Sequence, residues 1–553
     1  MEWTKEQQEA IDYRGENILV AAAAGSGKTA VLVQRIIQKI TDTEHPVGID
    51  EILVLTFTDA AASEMKHKIA DAVRAELAKK PFDKHLRRQN LLMGSAMIST
   101  IHSFCMSVIR SNIHHTQLPA AFGIISEDEN ALLLSQALDI ALEKFYANID
   151  RDSSFRQLAL GYGGMKNDSA LRGMTLSLYR FSESMEQPVK WLNQAVRQFR
   201  CAKNAESFTA SSFVSYLLEE AEKSVADILQ LYDTIIERVE SELPADHKMQ
   251  GFFVPEREQF LAVQIAAEQK DYEGVCCALN RLVFDRFPSA GGKNVAPEIK
   301  AAQEEIKSLR DLAKDLAGAL QKEFSISYQD AADRMKLTYP QLRTFKNLLL
   351  MVRRLHIKMK REKNYLDFSD LEHETIHLLS DAQGKPTPVA RTLSEKYEEI
   401  LVDEYQDTNH VQDAIFRLIS REEKNIFMVG DMKQCIYKFR HAVPTLFSDK
   451  YERYSKKDES GHLICLRKNF RSRENVVNTV NEIFRKIMSR RVGDVNYTSE
   501  EYLVRGADYY PQLNDESGFA AELLLTDISI DDKKSLSAAD SLVYEARCIA
   551  RRI

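Results

Sequence analysis

Residues 20–30 read VAAAAGSGKTA, and this short stretch constrains the fold more than any other part of the chain. The apolar run NILVA precedes its glycines, and KTAVLVQRIIQKI follows with the spacing of an amphipathic helix. A glycine-rich turn between a strand and a helix surrounds a phosphate group with backbone N–H groups and a helix N-terminus. The sequence therefore predicts a phosphate loop.

The strict phosphate-loop pattern has glycine where this chain has Ala22, so the pattern alone is imperfect. The alternative is a turn that only joins a strand to a helix, but the strand, the GSGKT core and the helix together favour nucleotide binding. Lys28 is predicted to reach the terminal phosphates and the Thr29 hydroxyl to ligate Mg²⁺. The predicted nucleotide-binding residues of the loop are Ala22, Ala23, Ala24, Gly25, Ser26, Gly27, Lys28 and Thr29.

A second acidic site follows the apolar run in EEILVDEYQD, where Asp403 and Glu404 stand side by side. Hydrolysis of a nucleoside triphosphate needs one carboxylate to hold Mg²⁺ and another group to orient and deprotonate the attacking water. We expect Asp403 to be the metal ligand and Glu404 the catalytic base. An acidic strand end is common by itself, but its combination with a phosphate loop predicts an ATPase or GTPase.

The chain has two textures. Up to about residue 110 and again from about 395 to 470, short β-branched runs alternate with helical patterns, which is typical of a parallel sheet covered by helices. Between about 115 and 390, long stretches have apolar residues at helical spacing. We predict an α/β fold: a RecA-like domain from 1–112 and 392–447, an all-helical insertion at 113–391, and the first part of a second RecA-like domain at 448–553.

Composition excludes several classes of protein. The 44% hydrophobic and 28% charged residues are typical of globular domains, and the net charge of −8 leaves room only for a local basic groove. We find no membrane span or signal peptide. The seven cysteines form no metal-binding pattern and suggest reduced thiols. We therefore expect a cytoplasmic protein.

Further motifs occur in one order: WTKEQQEAI, AAAAGSGKT, VLTFTDAAASEM, ISTIHSF, YLDFSDLEH, LVDEYQD, MVGDMKQCIYKFRHA and CLRKNFRSRENV. Their set and order resemble the superfamily 1 helicases of the UvrD, Rep and PcrA type. The wording around AAAAGSGKTAVLVQRI and EMKHKIADAV is most similar to the AddA family, the RecB-like helicase-nuclease subunits of AddAB complexes. The resemblance covers both ends of the chain, whereas the helical insertion matches only in size and texture.

The resemblance implies further roles at the nucleotide site. Gln7 would hydrogen-bond the adenine, with Gln8 as an alternative in register, and this would make ATP the nucleotide. Phe470 stands where relatives stack a tyrosine on the base. Gln434 would sense the γ-phosphate, and Arg471 would clamp it and stabilise charge in the transition state.

The resemblance also implies a path for single-stranded DNA, with aromatic faces for bases and donors for phosphates. Each of these residues could instead be an ordinary core or loop residue. Asp59 and His441 stand where the family usually has asparagine and glycine. The predicted DNA-binding residues are Thr56, Phe57, Thr58, Thr100, His102, Tyr437, Phe439 and Arg440.

Two basic stretches, KKPFDKHLRRQ at 79–89 and RRLHIKMKREK at 353–363, have two interpretations. Each could be a solvated helix face, or the pair could line a surface for duplex DNA. Under the second interpretation, neutralising Arg353, Arg354 and Lys358 flattens the salt dependence of DNA binding.

Family motifs V and VI and a RecB-type nuclease signature have no match before Ile553, so we expect an N-terminal fragment of a longer protein. The resemblance implies the motor portion of an ATP-dependent 3′→5′ DNA helicase, acting with a nuclease and an AddB-like partner subunit in repair of double-strand breaks. The alternative is an ATP- and DNA-binding module of a UvrD- or PcrA-like repair helicase without a nuclease, inactive as a translocase in this form.

Overall fold

The computed structural model describes residues 3–162, 167–200, 208–288, 296–456, 461–489, 493, 495–510, 521–524 and 538–552. Within these ranges the chain forms two compact units, one of residues Met1–Ala120 with Phe368–Ile553 and one of Ala121–Asp367. We call them the sheet unit and the helical unit. The strands of the described ranges are β1 (Ile18–Ala22), β2 (Ile52–Thr56), β3 (Met97–Thr100), β4 (Gly123–Ile124), β5 (Tyr365–Leu366), β6 (Glu399–Val402), β7 (Ile426–Gly430), β8 (His462–Leu466), β9 (Lys468–Asn469) and β10 (Val504–Arg505).

The sheet unit is built on six parallel strands in the order β3-β2-β6-β7-β1-β8. All five residues of β2 and of β7 are buried, as expected of strands covered on both faces. In the register, Val20 of β1 lies opposite Val429 of β7 and Ile464 of β8. Because the strands are parallel, the loops that follow them meet at one edge, which is where the predicted site residues lie.

Helices of the sheet unit cover the sheet with one apolar face each. In the helix Lys28–Ile40, for example, Val31, Leu32, Ile36 and Ile40 are buried at helical spacing. The helices are Lys5–Asp12, Lys28–Ile40, Asp59–Lys79, Lys84–Leu92, Ile101–Ser111, Phe368–Leu379, Pro388–Lys396, His410–Ile419, Pro444–Ser455, Glu474–Ile487 and Ala538–Arg552. Single 3₁₀ turns are Ile49–Glu51, Ile113–His115, Tyr405–Asp407, Met432–Gln434 and Lys438–Arg440.

The helical unit is all-α except for the short parallel pair of β4 and β5. It holds two apolar cores, one around Leu138 and Leu348 and one around Ile228 and Phe260. Its helices are Glu127–Tyr146, Ser153–Tyr162, Ser169–Glu183, Pro188–Arg197, Ser212–Glu242, Val254–Glu268, Tyr272–Asn280, Pro297–Glu323 and Tyr328–Glu362.

The observed boundaries differ from those expected at 113–391 and 447/448. The helix Phe368–Leu379 belongs to the sheet unit. Strand β8, expected in a second RecA-like domain, is an edge strand of the single six-stranded sheet, because Ile464 and Leu466 pack into the same core as β1. Beyond β8, the strands of the described residues are only the short pair β9 and β10. No helix of the described ranges is long and apolar enough to cross a bilayer.

Candidate nucleotide and nucleic-acid site

The turn between β1 and the helix Lys28–Ile40 is held by backbone hydrogen bonds. The N–H of Ser26 donates to the carbonyl of Ala23 (3.2 Å), and Gly25 and Gly27 have φ values of +70° and +83°. The left-handed region at these two positions favours glycine. At Gly25 a Cβ atom would also lie 2.9 Å from Cβ of Arg471. The GSG sequence therefore permits a tight turn ahead of the helix N-terminus, as predicted for a phosphate loop.

Gln7 packs directly against this turn. Its Nε2 donates to the carbonyl of Ser26 (2.9 Å), and its Oε1 accepts from the N–H of Thr4 (3.0 Å) in the capping box of the helix Lys5–Asp12. Gln8 instead contacts Asp12 on an exposed face. Of the two glutamines considered, Gln7 is the one beside the loop.

The acidic pair follows β6, two strands from β1. Nζ of Lys28 lies 3.1 Å from Oε2 of Glu404, so the loop and the acidic pair form one site. Burial, with the neighbouring Glu404 charge, raises the pKa of Asp403 to about 6. Glu404 has a left-handed backbone (φ 51°, ψ 44°), which is costly for a residue with a Cβ. An unusual backbone and a perturbed carboxyl group are typical of a functional site.

The residues after β7 lie at the same edge. Gln434 donates from Nε2 to Oδ2 of Asp431 (2.8 Å) in the turn Met432–Gln434. Lys433 is paired with the other Asp431 oxygen (3.0 Å) and with Glu501 (2.7 Å). The turn that carries Gln434 is therefore fixed through Asp431.

The segment after β8 closes the loop from another side. The N–H of Phe470 donates to the carbonyl of Gly25 (2.8 Å), and Nδ2 of Asn469 donates to the carbonyl of Ala24 (2.9 Å). Arg471 is exposed next to the loop. Sequence reasoning missed Asn469, whose only signal was its place between the strand HLICL and the predicted pair Phe470 and Arg471.

The three predicted threonines have structural contacts. Thr58 and Thr100 are N-caps of the helices Asp59–Lys79 and Ile101–Ser111. The Thr56 hydroxyl donates to the carbonyl of Thr58 (3.1 Å), and the Thr100 hydroxyl donates to Oδ1 of Asp59 (3.2 Å). Asp59, where the family usually has asparagine, thus links two of the loops at the sheet edge.

The predicted aromatic residues come together. The ring centroids of Phe57 and Tyr437 are 5.0 Å apart, those of Tyr437 and Phe439 are 5.7 Å apart, and Phe439 is 72% exposed. His441 adopts a left-handed backbone (φ 64°), which explains why glycine is usual there. The side chain of Arg440 lies outside the described residues.

His102 lies in a small cluster of its own. Its ring stacks at 4.6 Å on Phe368, and its Nε2 is 3.3 Å from Oε1 of Glu372, which also accepts from Gln412 (2.8 Å). The structure therefore connects His102 to the helix Phe368–Leu379, the element that begins in the motif YLDFSDLEH.

The basic stretch 353–363 is largely paired within the helical unit. Arg353 contacts Glu183 (2.7 Å), buried Lys360 contacts Asp367 (2.6 Å), and Lys363 contacts Glu129 (2.8 Å). These charges are already compensated, which favours a structural role for much of the stretch.

A different set of cations in the helical unit was not singled out by the sequence. It lines a cavity of about 810 Å³ that also contains Gln303. Within the described ranges, none of these cations has an ion pair. We call the set the cavity cations, and its members are Lys248, Arg286, Lys300 and Lys307.

A parallel sheet with a glycine-rich loop at a helix N-terminus, facing an acidic pair on a nearby strand, defines a P-loop nucleoside triphosphatase of the RecA-like class. A family model described as the UvrD/REP helicase N-terminal domain matches residues 3–455. The chain belongs to this UvrD/REP helicase family and shares its use of a nucleotide.

Similar curated proteins support the narrower resemblance to the AddA family. They are named as ATP-dependent helicase/nuclease subunits of the AddA type, and the one from Thermoanaerobacter sp. (strain X514) is 40% identical over 534 residues, which are 95% of this chain and 42% of that protein. The one from Ruminiclostridium cellulolyticum is 36% identical over 578 residues, covering 100% of this chain and 46% of that protein. The one from Clostridium perfringens (strain SM101 / Type A) is 40% identical over 530 residues. This chain spans less than half the length of these relatives.

Proposed function

We propose that this chain is the motor portion of an ATP-dependent 3′→5′ DNA helicase, part of a helicase-exonuclease complex that processes double-strand breaks for recombinational repair. The observation that carries the proposal is the 3.1 Å contact between Lys28 and Glu404. It joins the phosphate loop to the acidic pair at the edge of the sheet where the aromatic rings of Phe57 and Tyr437 also meet.

Residues of the loop 22–29 would bind the phosphates through their backbone N–H groups, with Lys28 on the terminal ones. In this structure Lys28 is paired with Glu404, so an incoming triphosphate would compete for its ammonium group. Gln7 and Phe470 would recognise the adenine, supported by their hydrogen bonds to Ser26 and Gly25. The buried Ser26 hydroxyl has no hydrogen-bond partner in the described residues, which suits a group that faces a ligand.

Mg²⁺ would be held by Thr29 and Asp403 together with the nucleotide. The described residues contain no cluster of three or more His, Cys, Asp or Glu side chains for a metal ion, which agrees with a site completed by phosphate oxygens. The raised pKa of Asp403 fits a buried carboxylate that lacks a counter-cation. Such an ion would neutralise charge on the transferred phosphoryl group.

Glu404 would orient and deprotonate the attacking water once Lys28 turns to the phosphates. Gln434, held by Asp431, would contact the γ-phosphate, and exposed Arg471 would stabilise the charge that develops there. Each of these side chains follows a different strand or loop of the same edge, so the site is assembled by the sheet.

Single-stranded DNA would stack on Phe57, Tyr437 and Phe439, with stacking worth about 1 to 3 kcal/mol per base. His102 and Arg440 would contact the strand or transmit its binding to the ATP site. Thr56, Thr58 and Thr100 would act mainly by fixing the loops that carry these groups, because their hydroxyls are used in caps and loop contacts.

The further partners that we propose for the parent protein are duplex DNA and an AddB-like protein, and its proposed location is the cytoplasm. The support is the name of the relatives, which designates one member of a complex with both helicase and nuclease activity. We propose that the nuclease activity of the parent protein lies outside the region described here as the sheet unit and the helical unit.

The test is ATP hydrolysis by the full-length parent protein and by this chain, each with and without single-stranded DNA. We expect DNA to stimulate hydrolysis by the parent protein, and Glu404→Gln to keep nucleotide binding while abolishing turnover. Glu64→Gln, on an exposed helix face, is the matched control. Absence of stimulation in the parent protein would refute the motor function, and persistent turnover of Glu404→Gln would remove Glu404 from its role. Binding of ATP and DNA by this chain without turnover would favour the binding-module alternative for the 553-residue form.

A further inference from the structure

The side chain of Gln406 bridges two loops of the site. It is 2% exposed, between the acidic pair and the end of β7. Its Nε2 donates to Oε2 of Glu404 (2.8 Å), and its Oε1 accepts from the backbone N–H of Asp431 (3.0 Å). A buried amide whose two ends contact two separate loops links the positions of those loops.

We propose that Gln406 is a positioning residue that holds the Glu404 carboxylate and couples its orientation to the turn after β7. The inference rests on the proposed function, since it gives Glu404 the catalytic role described above. It adds a residue whose contribution is made through Glu404 and Asp431, without contact with the nucleotide.

The sharing of Glu404 Oε2 between two donors supports this role. In this structure that oxygen accepts from both Lys28 (3.1 Å) and Gln406 (2.8 Å). Binding of a triphosphate would draw the Lys28 ammonium toward the phosphates, which removes one of the two donors. The neutral amide of Gln406 would remain and keep the carboxylate in place. This matters for Glu404 because its left-handed backbone offers few alternative side-chain directions.

The other end of the bridge leads to the DNA-facing residues. The Asp431 carboxylate accepts from Gln434 and pairs with Lys433, and the same segment continues to Tyr437, whose ring lies against Phe57. A shift of this segment on DNA binding would move the Asp431 N–H, and with it the amide that holds Glu404. The bridge therefore offers a direct connection between the DNA-facing aromatic residues and the catalytic carboxylate.

Gly430 provides the space for this contact. A Cβ atom at Gly430 would lie 2.3 Å from Oε1 of Gln406 and 3.2 Å from its backbone nitrogen. Any side chain at position 430 would displace the amide. The close approach of β7 to Gln406 is thus built into the backbone of the site.

The experiment compares Gln406→Met, which keeps the side-chain length and removes both hydrogen bonds, with Gln406→Asn, which keeps the amide but shortens its reach. We expect Gln406→Met to lower DNA-stimulated kcat on the order of 100-fold, with KM for ATP changed by less than about threefold, because misplacing a reacting group by about 1 Å costs this much in rate. Gln406→Asn should fall between it and the wild type.

Gln89→Met is the matched control. Gln89 is equally buried, at 2%, and likewise accepts from a backbone N–H, that of Ile49 (2.8 Å), but it lies outside the site. A loss of stability alone would affect both variants, whereas a positioning role affects kcat only in the Gln406 variants. Equal kcat values for Gln406→Met and Gln89→Met would overturn the proposal.

A binding measurement separates this proposal from the proposed function. The affinity for single-stranded DNA, with and without a non-hydrolysable ATP analogue, gives a coupling factor that requires no turnover. We expect Gln406→Met to bring this factor close to one, with affinity for each ligand alone retained. A coupling factor that equals that of the wild type overturns the role of Gln406 even where Glu404→Gln behaves as proposed. If Glu404→Gln still hydrolyses ATP while the coupling is lost, the catalytic assignment fails and the bridge remains.

Discussion

Arg35 is a buried side chain that connects the first helix to the sheet beneath the nucleotide site. It is 1% exposed, with Nη2 2.5 Å from Oε1 of Glu399 at the start of β6. Its Nη1 also donates to the carbonyls of Ala10 (2.8 Å) and Tyr13 (2.8 Å), at the end of the helix that carries Gln7. We predict that Arg35→Met destabilises the sheet unit and loosens the support of Gln7.

The magnitude follows from what the substitution leaves behind. Removing one partner of a buried ion pair costs about 3–5 kcal/mol because the other charge stays buried. Lys39 remains 3.6 Å from Glu399 and reduces this cost, whereas each orphaned carbonyl adds about 1 kcal/mol. We therefore expect a loss of about 4 kcal/mol in the free energy of unfolding. Although burial alone would raise the pKa of Glu399, Arg35 and Lys39 hold it below its ordinary value, so the carboxylate is charged at neutral pH.

Urea unfolding, followed by near-ultraviolet circular dichroism, measures the loss, and the double variant with Glu399→Met measures how much of it comes from the unpaired charge. We expect the double variant to recover about 2 kcal/mol of the single-variant loss, since the pair is directly coupled. Arg74→Met, whose partner Asp71 is on an exposed helix face, should change stability by less than about 1 kcal/mol. A loss of under 1 kcal/mol for Arg35→Met, or no recovery in the double variant, would refute the reasoning.

Three further predictions concern other parts of the chain. Gly25→Ala should weaken binding of a fluorescent ATP analogue by about tenfold or more, because a left-handed backbone costs a residue with a Cβ about 1–2 kcal/mol; unchanged affinity would contradict a strained loop. Burial lowers the pKa of His356 from 6.5 to about 4, so the unfolded chain takes up a proton first as the pH falls. The helical unit should therefore lose about 2 kcal/mol of stability by hydrogen exchange between pH 8 and pH 5, and His356→Gln should flatten that dependence. If the helical unit binds duplex DNA, neutralising Lys248, Lys300 and Lys307 should reduce the slope of log affinity against log salt more than neutralising three residues of the paired stretch 353–363, and the opposite ranking would restore the sequence-based choice of surface.

Strand positions and the phosphate loop were predictable because they depend on local patterns. Each of the β-branched runs predicted as strands, including NILVA, EILVLTFT and NIFMVGD, forms a strand of the six-stranded sheet. The GSG turn was predictable for the same reason, since glycine tolerates the positive φ values found at Gly25 and Gly27. These features need only the residues next to them.

Features that depend on distant partners were not predictable in this way. Strand β8 reads like any other apolar run, and only its pairing with β1 shows which sheet it joins. Gln406 and Asn469 look like ordinary polar residues until their partners are known, because their hydrogen bonds reach Asp431 and Ala24. The charge of Arg353 was visible, but its neutralisation by Glu183, 170 positions away, was not.

The helical insertion explains how a site can be assembled from residues so far apart in sequence. Lys28 and Glu404 are separated by 376 positions, yet their side chains are in contact. The helical unit begins and ends with β4 and β5, which pair in parallel, and the N–H of Gly123 donates to the carbonyl of Asn364 (2.9 Å). An insertion whose ends are joined to each other can be long without adding much to the entropy of closing the chain. The strands before and after it can then pair as if a short loop connected them, and this is why motifs from both ends of the sequence meet at one edge of the sheet.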